Sequence, residues 1–103
     1  MALDFTIFDT ESIPVEQVSI GIAAHQYLIE LAIRLGSCPL ITRMHEYYED
    51  VDYTSSEIPV LIEEIKRVSK VVSEDDIIDL LSQLERLCDK ALAKGQLISV
   101  IAD

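Results

Sequence analysis

The sequence predicts an α+β fold, predominantly α, with about four helices and short N- and C-terminal strands that pair into a small sheet. Three observations predict it. Apolar residues recur at helical spacing through the middle and second half of the chain, and alternate with polar residues near its start. The C-terminal "QLISVIAD" is apolar and β-branched, the composition of a strand. Only three Gly and three Pro interrupt 103 residues, half of them hydrophobic, so little of the chain is composed for disorder. A chain of this length buries roughly 60–65% of its unfolded surface, enough for one core without disulfides or metal. The expectation is a single globular domain over residues 1–103.

In order, "LDFTIF" sets Leu3, Phe5 and Ile7 on one face and Asp4 and Thr6 on the other, a strand over 3–8. "DTESIP" breaks it, and Pro14 suits the first turn of a helix. That helix is expected to run to about Leu35 and stop at Gly36. Its stripes are Val15, Val18, Ile22, Ile29 and Ala32 or Ile33, and then Ile20, Ala24, Tyr27, Leu28, Leu31 and Leu35. A helix apolar on two sides is expected at the centre, or beneath a partner. Pro39 opens a short helix over 39–48. Leu61, Ile65, Val68 and Val72 mark the next. The last begins with Ser73 as N-cap, sets Glu74, Asp75 and Asp76 against the helix dipole, and closes with Lys90, Lys94 and Gly95. A strand over 97–101 ends the chain. The two terminal strands are expected to pair and to lie against the long helix, because a bare ribbon is marginal. An open strand edge would allow a homodimer.

Nineteen Asp and Glu against eight Lys and Arg give a net charge of −11. Such a field disfavours nucleic acid and anionic membranes and steers basic partners. It also keeps a protein soluble, and composition alone does not separate these roles. Cys38 and Cys88 fall in no CxxC spacing and read as reduced thiols. No signal-peptide pattern or membrane span is apparent, so a soluble, cytoplasmic protein is expected.

The stretch "HEYYEDVDYTSSEIP", residues 45–59, holds five carboxylates and three tyrosines with no Lys or Arg. A calcium loop needs a turn glycine at its sixth position and an acid at its twelfth. Counting from Asp50 gives Ser55 and Leu61. Counting from Asp52 gives Glu57 and Glu63 but sets Pro59 at the eighth. Neither frame fits, and no bound metal or cofactor is expected. Part of the acidity has a local purpose: Thr54, Ser55 and Ser56 can cap the following helix, and Thr54 with Glu57 spells a capping box. Capping does not explain the rest. Glu46, Glu49, Asp50, Asp52 and Glu57, with Tyr47, Tyr48 and Tyr53 as anchors, form the candidate partner-binding set, since rigid amphipathic area beside charge suits a basic surface. The tyrosines also suit core packing.

Catalytic patterns are missing. There is no Gly-rich phosphate loop, GxSxG or HExxH. His45 and Glu49 are spaced to meet on a helix but have no second histidine nearby. His25 lies in an apolar segment as a core histidine would. Lys66, Arg67 and Lys70, flanked by Glu63 and Glu64, read as a solvated, ion-paired face.

Residues 38–65, "CPLITRMHEYYEDVDYTSSEIPVLIEEI", resemble small, largely uncharacterised acidic bacterial proteins: a short helix, an acidic tyrosine-bearing turn, then an amphipathic helix. Some proteins of this kind are described as immunity proteins of bacterial toxin systems. The resemblance implies a noncatalytic interaction module that binds a basic toxin partner. The alternatives are a homodimeric structural or accessory protein and a calcium-responsive module.

Overall fold

The computed structural model describes residues 3–46 and 49–102. Strands β1 (Leu3–Phe8) and β2 (Pro14–Ile20) are followed by helices α1 (Ile22–Leu35) and α2 (Pro39–Thr42). Then come β3 (Val51–Tyr53), α3 (Ile58–Ser69), α4 (Asp75–Lys94) and β4 (Ile98–Ala102). The strands form one antiparallel sheet in the order β2-β1-β4-β3. The terminal strands pair as expected, with Phe5 opposite Val100. Two further strands flank them, where the sequence predicts a helix and a loop.

The first correction is the segment 14–20. Asp9 folds the chain back: its Oδ1 accepts the N–H groups of Glu11 at 2.8 Å and Ile13 at 2.9 Å, while the Asp9 N–H donates to the Ile13 carbonyl. Ser12 takes a left-handed φ of 62° in the same turn. The result is a hairpin in which Val18 faces Phe5 and Ile20 faces Leu3. Glu16, Val18 and Ile20 turn inward while Val15, Gln17 and Ser19 are exposed. Val15, Val18 and Ile22 recur at helical spacing, but of the three only Val18 lies on the inward face of this strand.

Helix α1 therefore starts at Ile22, with Gly21 as its N-cap, and ends at Gly36, whose left-handed φ of 74° only glycine adopts cheaply. It buries one face, His25, Leu28, Ile29 and Ala32, and leaves Ile22 and Ile33 exposed. The helix against the sheet is instead α4, which packs on β1, β2 and α3. Its N-cap is Glu74 rather than Ser73. Its end is a Schellman motif: Gln96 N–H donates to Ala91 O at 2.9 Å and Gly95 N–H to Leu92 O at 3.2 Å.

The second correction is α2, which ends at Thr42 rather than continuing to residue 48. The Thr42 hydroxyl donates back to the carbonyls of Cys38 and Pro39, a competition that weakens a helix end. Val51–Tyr53 then lies beside β4. Leu3, Phe5, Ile7, Ile98 and Val100 pack from the sheet against Leu61, Ile65, Leu81, Leu84 and Cys88 from the helices. The opposite face carries Asp4, Thr6, Gln17, Ser19, Asp52 and Ser99, joined by Ser19 Oγ–H to Asp4 Oδ1 at 2.6 Å. Among the described residues, no helix is long and apolar enough to cross a membrane.

Candidate partner-binding surface

The acidic stretch sits on β3, one edge of the sheet, and on the segments that lead into and out of it. Strand alternation decides what each residue presents. Asp52 lies opposite Ser99 and points to the solvent face. Two strands over, Asp4 shares that face, with the two backbones about 12 Å apart by strand spacing. Asp50 accepts the Ala102 N–H at 2.7 Å, tying the loop to the end of β4. Glu46 and Glu49 are exposed, and Glu46 Oε1 lies 3.9 Å from His45 Nε2. The short α2 ends before His45, so His45 and Glu49 do not share the helix face expected of them.

Tyr53 corrects the sequence expectation. It alternates inward, has no exposed surface, and donates its hydroxyl to the Leu40 carbonyl at 2.5 Å. Burial holds its hydroxyl well above the usual tyrosine pKa. A side chain so placed is core packing and not an anchor. Tyr47 and Tyr48 lie outside the described residues.

Glu57 has a structural task as well. Arg43 grips its carboxylate with both terminal nitrogens, Nη1 to Oε1 at 3.0 Å and Nη2 to Oε2 at 2.5 Å. Glu57 also accepts the Thr54 N–H at 3.0 Å, but the N-cap of α3 is Glu57 itself, with no side-chain cap bond, rather than Thr54, Ser55 or Ser56 as the sequence predicts. The Arg43 bonds, joined by the Thr54 N–H, pull the Glu57 carboxyl down to about 2. Arg43 further donates to the Asp52 carbonyl at 3.1 Å and stands 5.2 Å above the Tyr53 ring. The guanidinium is thereby committed to groups of its own chain, and among the described residues no Lys or Arg pairs with the carboxylates of Glu46, Glu49 or Asp52.

Arg43 escaped the sequence reading because it lies just before the acidic stretch and meets Glu57 only through the fold. Glu64 escaped it too. Far from lying on a solvated face, it is fully buried. Its Oε1 accepts Leu40 N–H at 3.0 Å and Ile41 N–H at 2.9 Å, and its Oε2 meets Leu40 N–H at 3.1 Å. These are the first free amides of α2 after Pro39, so Glu64 caps that helix from α3. One turn on, Arg67 Nη1 donates to the Ser37 carbonyl and to Ser37 Oγ. The two side chains clamp the segment below the acidic loop. A signal existed: Glu64 falls on the apolar stripe of Leu61, Ile65 and Val68.

His25 is buried and its Nε2–H donates to the Met44 carbonyl at 2.6 Å, fixing the α2 exit against α1. Both cysteines are free and buried. Burial pushes the Cys88 thiol up to about 12, and burial together with Glu64 raises that of Cys38. Among the described residues, no group of three or more His, Cys, Asp or Glu is placed to hold a metal. The surface thus offers exposed carboxylates on β3 and in the segment before it, suited to ammonium and guanidinium groups.

Compared with protein-family models, curated proteins and solved structures, the chain matches none. The functional argument therefore rests on its own residues.

Proposed function

We propose that this chain is a noncatalytic, cytoplasmic interaction module that binds a basic protein partner through the acidic β3 edge. The observation that carries the reading is the disposition of charge around Arg43. The one cation next to the acidic stretch is consumed by Glu57, and Glu46, Glu49 and Asp52 remain exposed with no Lys or Arg paired to them among the described residues. Asp4 extends the acidic character across the open sheet face. Association with a cationic surface would be fast and would weaken with salt. The immunity-protein form of the proposal has these carboxylates occupy a toxin's cationic surface where phosphates would sit. Free, buried thiols suit a reducing compartment.

Affinity purification from the native host at low and high salt, read by mass spectrometry, tests the proposal. A basic protein retained at low salt and reduced at high salt is the expected result. Capture that is equal at both salt concentrations would count against an electrostatic interface.

A further inference from the structure

The sheet has two unequal edges. β3 offers three residues, whereas β2 offers seven and has no strand on its outer side among the described residues. Over residues 15–19 this edge turns N–H and C=O groups outward that can template another strand. Its proline, Pro14, is the first residue, where a missing N–H interrupts least. Its inward charge, Glu16, meets Lys90 at 2.9 Å but keeps 40% of its side chain exposed. Beside the edge runs a cleft of about 200 Å³, lined by Glu16, Val18 and, from α4, Gln83, Arg86 and Lys90. Arg86 is exposed and makes no ion pair among the described residues. In a chain of net charge −11, this flank is locally cationic. It suits a strand that brings a carboxylate beside Arg86.

We propose that β2 pairs antiparallel with β2 of a second copy of this chain, with Glu16 of each copy reaching Arg86 of the other. Facing residues of antiparallel strands share a face of the sheet, which restricts the register. The pairing that overlaps the whole strand sets Gln17 opposite the partner's Gln17 and Val18 opposite the partner's Glu16. A two-residue shift one way confronts Glu16 with the partner's Glu16, a like-charge pair that destabilises. The same shift the other way overlaps only residues 16–20. In the full-overlap register the partner's Glu16 arrives opposite Val18, in the cleft that Arg86 lines, and the two-fold axis repeats the contact. The exposed Ile13 and Ile22, 52% and 49% accessible, flank the two ends of the strand. This register carries the partner's Ile22 to the Ile13 end. The pairing uses a different edge from the acidic surface, so each proposal can fail without the other.

Sedimentation equilibrium of the full chain, from micromolar to near-millimolar concentration, tests it. The wild type should dimerise. Arg86→Glu should weaken the dimer by about tenfold or more through repulsion of the partner's Glu16, and so should Glu16→Lys. Mixing the two variants should restore the dimer. Only in the mixed pair does the introduced lysine meet the introduced glutamate at one contact while the native Glu16 and Arg86 meet at the other. Far-UV circular dichroism confirms that each variant folds. A monomeric wild type, a dimer unmoved by Arg86→Glu, or variants that fail to rescue each other would overturn the proposal.

Discussion

Glu64 gives the sharpest test of how the acidic loop is held. Replacing it with Ala leaves the buried Leu40 and Ile41 N–H groups without their acceptor. Each such donor costs about 1–3 kcal/mol, so the pair sets a ceiling of about 6 kcal/mol. Removing a buried charge returns part of this through relieved desolvation. We expect a net loss of about 3 kcal/mol, a fall in Tm of about 12–24 °C for a domain of this size. The isosteric Glu64→Gln keeps one acceptor where Oε1 serves both amides but turns an NH2 toward Leu40 N–H in place of Oε2, so it should lie between wild type and Ala. Denaturant unfolding followed by circular dichroism gives the stability. Hydrogen exchange at Leu40 and Ile41 reports the cap itself. If Glu64→Ala lies within about 0.5 kcal/mol of wild type and both amides stay equally protected, the capping argument is wrong.

Other consequences follow from the same geometry. Tyr53→Phe keeps the ring beneath Arg43 but loses the bond to Leu40 O, and should cost about 1 kcal/mol in urea unfolding. Because the folded Glu57 carboxyl lies near 2 against an ordinary 4.5, its stabilisation is complete above 4.5 and disappears as pH falls toward 2. Glu57→Gln should therefore flatten the acid limb of a stability-versus-pH curve between those values; an unchanged limb would remove Glu57 from the explanation. Cys38 and Cys88 should react with a thiol reagent far more slowly in native protein than in denaturant, since both are buried. Rapid native labelling of either would contradict its placement.

The legible parts of this fold are those where local chemistry and tertiary placement agree. The terminal strands, the stripes of α3 and α4, and the glycine stops of α1 and α4 announce themselves by period and capping. β2 did not, because Val15, Val18 and Ile22 recur at helical spacing although only Val18 turns inward from the strand, and the turn that rules out the helix is made by one side chain, Asp9. β3 spans three residues, too few for an alternation to show. At the surface, composition located the exposed carboxylates but not the direction of Tyr53, which depends on the register with β4. Arg43 and Glu64 are long-range partners, and composition does not report such partners.

The most direct test of the proposed interface is a calorimetric titration of the captured basic protein with wild type and with a Glu46→Lys, Glu49→Lys, Asp52→Lys variant, repeated at two salt concentrations. These three side chains are exposed, and the loose Glu46–His45 contact is an exposed pair that holds no other element in place. The variant should therefore keep its stability within about 0.5 kcal/mol per site. The account predicts that the variant loses most of the affinity and most of its salt dependence. Affinity retained within about twofold, less than 0.5 kcal/mol, would place the interface elsewhere.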